Sequence, residues 1–368
     1  MSTDAADIAH MARALALAER GRGRTSPNPM VGALIVDDDG VVVGRGAHEF
    51  AGGPHAEIHA LRDAGDRARG ATLFCTLEPC SHTGRTGPCA PRVVEAGIRR
   101  AVIAVADPNP LVSGRGLSHL RDHGIEVSVG VHEQAALRQN GAFFTMMRRR
   151  RPFVTMKVAL SRDGRVAARP GTRTALTGSA ANRAIHRDRA EVDAIAVGSG
   201  TLLADDPVLT PRGAHRSRPL TRIVFDRSLR VPPTARILST AEVGPIIVVT
   251  ADPDGDAARR KSEALVEAGA RVVTVGGATP SFVAAAMERV GQLGITDLML
   301  EGGPTLHAAA WSAGLVDRVQ VYRTPWSLGS DGVPWLSGDL FTLESLDDVR
   351  TIPLGDDVLI EGYVHRAD

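Results

Sequence analysis

The sequence contains little cysteine. Its three cysteines, Cys75, Cys80 and Cys89, fall within fifteen residues of one another, and there are none elsewhere in the chain. An odd and clustered set argues against a disulfide framework, which needs paired cysteines spread through the fold. The clustering indicates a metal site or a catalytic thiol instead.

The sequence is also poor in lysine and has almost no net charge. Of 43 basic residues only Lys157 and Lys261 are lysines, and the formal net charge is +1. A chain with so little excess positive charge gives no electrostatic reason to expect a nucleic-acid partner. The run Arg148–Arg151 before Pro152 is the exception, and we interpret it as a solvated linker between domains.

No apolar run approaches the roughly 20 residues that a membrane-spanning helix needs, so no membrane association is expected. The first 21 residues carry acidic residues and an apolar stripe through Ile8, Met11, Leu15 and Ala18, which predicts an amphipathic helix rather than a signal peptide. We therefore expect a cytoplasmic protein.

A chain of 368 residues predicts two domains, and the pattern breaks near residue 150, giving predicted domains at 1–147 and 152–366. Strands and helices alternate in both halves, which predicts an α/β fold for each. The predicted strands are 34–36, 41–46, 71–76, 101–105, 153–160, 193–197, 222–226, 246–250, 271–275 and 298–300. The predicted helices after the N-terminal one are 55–64, one starting near 89, 180–190, 257–268 and 281–291.

Two short segments of the first half carry the chemistry. His55-Ala56-Glu57 opens a predicted helix, and Pro79-Cys80 is followed by Cys89. A catalytic zinc takes three nitrogen or sulfur ligands from the protein and leaves a fourth position open, where it lowers the pKa of a bound water to about 7. His55, Cys80 and Cys89 are the predicted ligands, and Glu57 is the predicted proton carrier.

The order His-x-Glu and then Pro-Cys with a second cysteine matches the zinc-deaminase signature, in which water attacks a ring carbon that bears an amino group. The signature has two residues between the cysteines, whereas this chain has eight, which requires a longer loop. A protease-type zinc motif would need the glutamate directly after His55, so we interpret His59 as structural. Cys75 is interpreted as a small buried hydrophobic residue.

Longer motifs make the sequence resemble the bifunctional deaminase/reductase family of riboflavin biosynthesis, whose long cysteine loop this chain shares. In the first half these are segments 25–32, 55–57 and 76–89. In the second half they are Lys157, 161–164, 203–207 and 301–304, so the resemblance spans nearly the whole chain.

The resemblance implies two consecutive reactions. A cytidine-deaminase-like domain would hydrolyse the 2-amino group from 2,5-diamino-6-ribosylamino-4(3H)-pyrimidinone 5′-phosphate. A dihydrofolate-reductase-like domain would then reduce the ribosyl group to ribityl with hydride from NADPH. It also implies that Asn28, His48, His82 and Arg85 line the deaminase pocket and that the protein forms a homo-oligomer.

The second half has no Gly-x-Gly-x-x-Gly after a strand, so a Rossmann cofactor site is not indicated. Two glycine turns follow buried strands, at 197–201 and 300–305, and such turns let backbone N–H groups approach phosphate. From the residues alone, Lys157 either extends from a sheet edge into solvent or meets a substrate phosphate.

The resemblance assigns contacts in this half. The implied substrate contacts are Lys157, Arg189, Leu209, Arg212 and Glu301. The implied NADPH contacts are Ala159, Thr201, Asp205 and the turn 303–309, with Gly303, Pro304, Thr305 and Leu306 at its start.

Several residues of the second half depart from the family pattern. Ala175 stands where the family usually has tryptophan, Arg173 and Arg227 replace serine, Trp326 replaces lysine, and Arg162 replaces an apolar residue. A guanidinium at Arg227 suits the 2′-phosphate of NADPH. Two other hypotheses therefore stay open: a deaminase with an inactive or altered reductase domain, and a zinc-stabilised nucleic-acid-binding or editing module.

Overall fold

A computed structural model of the protein describes residues 5–81, 87–109, 113–251, 255–276, 281–336 and 341–364. The chain forms two compact units, residues 1–150 and 151–368. Both units are mixed α/β, which confirms the predicted fold class. No helix in the described part of the chain is long and apolar enough to cross a bilayer.

The first unit contains a five-stranded sheet in the order β2-β1-β3-β4-β5. Its strands are β1 Gly32–Val36, β2 Val42–Ala47, β3 Thr72–Cys75, β4 Arg100–Ile103 and β5 Glu126–Val129. Its helices are α1 Ala5–Ala18, α2 Ala56–Ala64, α3 Cys89–Glu95, α4 Arg115–Asp122, α5 Glu133–Gln139 and α6 Gly141–Arg149. Strands β3, β4 and β5 run parallel, joined by the crossover helices α3 and α4, as parallel neighbours require.

The N-terminal helix α1 packs on this sheet with most of the predicted stripe, and only Ile8 departs from it. Met11, Ala14 and Ala18 are fully buried, whereas Ile8 is 44% exposed. In place of Ile8, the buried Asp7 faces the sheet and forms two hydrogen bonds, of 2.9 and 2.7 Å, with Arg100 at the start of β4. An ion pair across 93 residues therefore fixes the rotation of α1, and apolar periodicity alone does not reveal it.

Two glycines of β2 let α2 pack directly on the strand. A Cβ at Gly46 would lie 2.0 Å from the carbonyl oxygen of Ala56, and one at Gly44 would lie 2.3 Å from that of Ala60. Only a residue without a side chain permits this approach. The contact sets the position of the first turn of α2, which carries the His-Ala-Glu motif.

Replacing Gly46 by alanine is expected to destabilise the first unit by about 1–3 kcal/mol, because the new methyl group overlaps the backbone of α2. We also expect the variant to lose the deaminase activity that the family resemblance implies while keeping the implied reductase activity, since the displaced helix carries Glu57. Thermal unfolding and both activity assays measure these effects. Gly276→Ala is the matched control, since a Cβ there meets nothing within 4 Å. Equal unfolding temperatures for the two variants would contradict the prediction.

The second unit contains a nine-stranded sheet in the order β11-β10-β9-β8-β12-β6-β13-β16-β15 and a small sheet of β7 and β14. Its strands are β6 Phe153–Leu160, β7 Arg165–Ala167, β8 Ala194–Gly198, β9 Thr221–Phe225, β10 Ile246–Ala251, β11 Arg271–Val275, β12 Asp297–Leu300, β13 Arg318–Arg323, β14 Val333–Pro334, β15 Leu346–Leu354 and β16 Asp357–Val364. Its helices are α7 Ser179–Glu191, α8 Ser199–Asp205, α9 Asp256–Glu267, α10 Ser281–Gln292 and α11 Pro304–Ser312.

The seven neighbouring strands from β11 to β13 in this sheet order are parallel to one another. The pairs β13–β16 and β16–β15 are antiparallel. Apolar clusters cover both faces of the parallel part, which explains why a strand such as β10 reads as a nearly continuous apolar run. Because the strands are parallel, the loops that follow β8, β12 and β6 lie along one edge of the sheet. Ligands of open α/β sheets bind at this edge.

The arginine run at the boundary is only partly the solvated linker that the sequence suggested. Arg148 and Arg149 end α6, but Arg151 is 5% exposed. Its guanidinium forms two hydrogen bonds, of 2.6 and 2.9 Å, with Asp317, which also accepts the N–H of Val154. The interpretation was wrong for Arg151 because its partner lies 166 residues away.

Candidate active sites

In the first unit three potential metal ligands converge at the ends of three elements. His55 precedes the first residue of α2, Cys80 lies in the loop after β3, and Cys89 is the first residue of α3. Their ligand atoms all lie within 4.8 Å of one another. The only such group among the described residues is this one, and it consists of the three residues that the sequence predicts as zinc ligands.

The spacing of the donor atoms fits a tetrahedral zinc. The Nδ1 atom of His55 lies 3.5 Å from Cys80 Sγ and 3.3 Å from Cys89 Sγ. Zinc–sulfur and zinc–nitrogen bonds of ordinary length at tetrahedral angles separate these atoms by about 3.5 Å. The donor set of one imidazole and two thiols is also the chemistry that zinc prefers, and three ligands leave one position open.

The backbone around the cysteines holds this geometry. The N–H of Cys89 donates to Cys80 Sγ at 3.3 Å, and the N–H of Ala90 donates to the carbonyl of Cys80 at 3.0 Å. Hydrogen bonds from Cys89 and His55 hold the pKa of the Cys80 thiol at about 4, whereas sharing that hydrogen bond raises the pKa of Cys89. The site therefore already favours one thiolate before a cation binds.

Glu57 lies in the first turn of α2, two residues after His55, and is only 3% exposed. Burial, and then the negative charge on Cys80, raises the pKa of its carboxyl group to about 7. The structure thus places a buried carboxyl group with a raised pKa beside the three ligand atoms. This is the arrangement that a general acid and base needs.

Asn28 and His48 lie together beside the ligands. The Nδ2 atom of Asn28 is 3.2 Å from His48 Nε2, and His48 Nδ1 is 3.0 Å from the carbonyl oxygen of Pro54. The His48 ring stands edge-on to the His55 ring at 5.5 Å between centroids. Since Nδ1 donates to that carbonyl, Nε2 of a neutral His48 accepts a hydrogen bond from Asn28. Burial lowers the pKa of His48, which favours this neutral form.

Asn140 fixes the segment that carries Asn28, although the sequence gives no sign of it. Its side-chain oxygen accepts the N–H of Met30 at 2.7 Å, and its amide nitrogen donates to the Met30 carbonyl at 2.9 Å. Cys75 is fully buried, in agreement with its interpretation as a hydrophobic residue. His82 and Arg85, the other two predicted pocket residues, lie outside the described residues.

In the second unit the predicted substrate contacts Lys157, Arg189 and Glu301 form a buried cluster. Arg189 of α7 makes two hydrogen bonds, of 2.8 and 2.7 Å, with Glu301, which directly follows β12. The Nζ atom of Lys157 lies 3.7 Å from the same carboxylate and 5.6 Å from the centre of the Tyr322 ring. Strand β6 lies between β12 and β13, so the alternative of Lys157 at a sheet edge was wrong.

Electrostatics keep this cluster charged. The cations Arg189 and Lys157 overcome the effect of burial and hold the pKa of Glu301 at about 2. His186, one turn before Arg189 on α7, was missed by the sequence analysis. Its Nδ1 is buried and has no hydrogen-bond partner, and the charges of Arg189, Arg212, Glu301 and Lys157 all act on its pKa. Three cations against one carboxylate suit a phosphate ester.

The other two predicted substrate contacts lie in the loop after α8. Leu209 has a left-handed backbone, with φ of 57°, and its side chain is buried in the core. Only its backbone is therefore available to a ligand. The neighbouring carbonyl of Thr210 accepts weakly from Arg189 at 3.4 Å, which links this loop to the cluster.

The predicted NADPH contacts collect where β8, β12 and β6 end. Thr201 and Asp205 belong to α8, and Ala159 is the next-to-last residue of β6. Gly303 directly precedes α11, whose first three residues are Pro304, Thr305 and Leu306. The two glycine turns meet, because a Cβ at Gly303 would lie 3.1 Å from the Thr201 hydroxyl oxygen. Glycine backbone beside two helix starts fits a pyrophosphate.

Three of the departures from the family pattern, Arg173, Trp326 and Arg162, have a structural setting. Burial raises the pKa of Asp205, and the positive charge of the nearby Arg173 opposes this rise. Trp326 is 63% exposed, and its carbonyl accepts the N–H of Arg162 at 2.7 Å. Nothing in the structure explains Ala175 in place of tryptophan.

Comparisons with known proteins agree with both sites. The family model for the cytidine and deoxycytidylate deaminase zinc-binding region matches residues 4–105, and the model for the RibD C-terminal domain matches residues 152–360. The riboflavin biosynthesis protein RibD of Aquifex aeolicus is 41% identical over 88% of both chains. That of Escherichia coli is 40% identical over 94% of both chains.

The chain belongs to the RibD family. Solved structures agree over the whole length. Acinetobacter baumannii RibD is 35% identical with a TM-score of 0.85, covering 98% of this chain and 99% of that one. A deaminase/reductase from Thermotoga maritima is 31% identical with a TM-score of 0.80 and the same coverage. Membership makes the protein a bifunctional deaminase and reductase of riboflavin biosynthesis that uses zinc and NADPH.

Proposed function

We propose that His55, Cys80 and Cys89 hold the zinc and that Glu57 moves the proton in the hydrolytic deamination of 2,5-diamino-6-ribosylamino-4(3H)-pyrimidinone 5′-phosphate. The observation that carries this proposal is the convergence of the three ligand atoms within 4.8 Å. The buried Glu57 stands two residues from the first ligand. When bound, zinc would supply a hydroxide at neutral pH for the replacement of the 2-amino group.

The protein side chains then have separate tasks. Glu57 takes two protons from the water, one at a time, and delivers the first to the ring nitrogen and the second to the departing amino group, so that water is consumed and ammonia released. Asn28, whose Nδ2 bonds His48, keeps its side-chain oxygen for a donor on the pyrimidine. His82 and Arg85 are proposed as further contacts from the cysteine loop.

The proposed metal ligands are tested by Cys80→Ser together with metal analysis. The wild type is expected to hold one zinc per chain after dialysis, and the variant less than a tenth of that, because a serine hydroxyl is a poor substitute for a thiolate. Ammonia release from the pyrimidine substrate should fall in parallel.

Cys75→Ser is the matched control for the thiol itself. Cys75 is a fully buried cysteine of the same unit that belongs to no ligand group. Its replacement should leave the zinc content unchanged even where it lowers stability. Full zinc occupancy in the Cys80 variant would refute the ligand set.

For the second reaction we propose that the Lys157–Arg189–Glu301 cluster binds the ribosyl phosphate chain, with Arg212 and the backbone at Leu209 completing the substrate site. NADPH, which supplies the hydride, would be held by Ala159, Thr201, Asp205 and residues 303–306. His186 is added to this set because its buried Nδ1 has no partner and faces the same charges. The domain limits implied are 1–147 and 152–366.

An altered reductase half is the second candidate, and the absence of the usual tryptophan at Ala175 favours it. Calorimetric titration with NADPH separates the two, since the altered domain predicts no heat of binding. No observation favours the nucleic-acid module. Assembly as a homo-oligomer and a cytoplasmic location stay predictions, and light scattering of the purified protein tests the first.

A further inference from the structure

We infer that Glu78 is a positioning residue of the deaminase site, one that fixes Cys80 for the metal by joining two loops. Glu78 lies two residues before Cys80 and is only 3% exposed. Among the described residues its carboxylate has no cationic partner, and it is instead surrounded by backbone N–H groups. This inference rests on the proposed ligand role of Cys80.

Each carboxylate oxygen of Glu78 accepts two backbone hydrogen bonds. Oε2 accepts the N–H of Asp107 at 3.1 Å and that of Gly114 at 3.0 Å. Oε1 accepts the N–H of Gly116 at 2.9 Å and that of Leu117 at 3.3 Å. A single side chain from the cysteine loop thus binds the segment after β4 at both ends.

Two of these donors belong to the first turn of α4, whose N–H groups have no partner within the helix. A carboxylate at this position satisfies them and interacts favourably with the positive end of the helix. Neighbouring contacts are equally close. A Cβ at Gly116 would lie 2.0 Å from the carbonyl oxygen of Pro79, so only glycine lets α4 begin against the residue before Cys80.

Cys80 is therefore held from both sides. On its N-terminal side Glu78 anchors the chain to α4, and the Glu78 N–H also donates to the Val105 carbonyl at 3.0 Å. On its C-terminal side the Ala90 and Cys89 N–H groups bond its carbonyl and its sulfur. Loss of the Glu78 anchor would free one side of the ligand while leaving the ligand itself intact.

A glutamine at position 78 tests this role. Its amide has one acceptor oxygen where the carboxylate has two, and its NH₂ group would point at backbone N–H groups. We expect Glu78→Gln to release zinc to a chelator at least tenfold faster than the wild type, in the range of 10–100-fold found for residues that orient metal ligands. Reductase activity on the deaminated pyrimidine should not change.

Asp193→Asn is the control that separates positioning from stability. Asp193 is a buried carboxylate in the second unit, which accepts the N–H groups of Thr296 and Asp297 and the Thr296 hydroxyl and also pairs with Arg218 at 2.7 Å. Its replacement should lower the unfolding temperature without changing zinc release. Glu78→Asp keeps the charge on a shorter side chain and should release zinc at an intermediate rate. This variant replaces Glu78→Gln in the test if the glutamine variant does not fold.

Zinc release at the wild-type rate from folded Glu78 variants would overturn the inference, and so would equally fast release from Asp193→Asn. Failure of the proposed function would give a different result, because even the wild type would then hold no zinc.

Discussion

Replacing Glu57 by glutamine is expected to lower the rate of ammonia release by about 10²–10⁴-fold, the usual contribution of a general acid and base. The amide has the same shape as the carboxylate but cannot accept and return a proton. Because Glu57 is not among the three ligands, the variant should keep its zinc. Stopped assays of ammonia together with metal analysis measure both quantities.

The reductase half of the same chain is the internal control for this variant. It should still oxidise NADPH when supplied with the deaminated pyrimidine, since Glu57 belongs to the other unit. Glu95→Gln on α3 is the matched surface control, because that side chain is 62% exposed and its ion pair is with the equally exposed Arg92. A Glu57 variant that holds zinc and releases ammonia within tenfold of the wild-type rate would exclude the proposed role.

Replacing Lys157 by methionine is expected to lower kcat/KM of the reductase by about 100-fold and to leave deamination unchanged. The substitution keeps the volume of the side chain and removes its charge, so packing changes little. Two charge-assisted contacts to a phosphate or sugar oxygen are worth about this factor, at roughly 1.4 kcal/mol for each tenfold. Steady-state oxidation of NADPH at varied substrate concentration gives the value.

The chain offers an exact control, since its only other lysine is Lys261. Lys261 is exposed on α9, the helix between β10 and β11. In the sheet, three strands separate β10 from β6, the strand that carries Lys157. Lys261→Met should behave as the wild type in both assays. A reductase unaffected by Lys157→Met would remove Lys157 from the proposed substrate site.

The sequence was most informative where the chemistry lies in short segments. His55 and Glu57 occupy one helical turn, and Cys80 and Cys89 bracket one loop, so motif order alone proposes a ligand set that the fold then brings together. Long apolar runs were similarly reliable, and β6 and β11 have their predicted limits. Elements with weak patterns were not found. β15, with five consecutive exposed residues, has no alternation to reveal it.

What the sequence could not supply are partners that are distant in the chain. Arg189 and Glu301 are 112 residues apart, and the four donors around Glu78 come from a segment about which its motif says nothing. The same limit explains the error at Arg151, whose charge is exposed or buried only according to where Asp317 lies.

By itself, the sequence determined the family, the two α/β units and the identity of the proposed zinc ligands, because these depend on residue type and on local spacing. The tertiary structure alone decided which charges are buried and what each one binds, because ion pairs and hydrogen bonds form between strands and loops that only folding places within about 3 Å of one another.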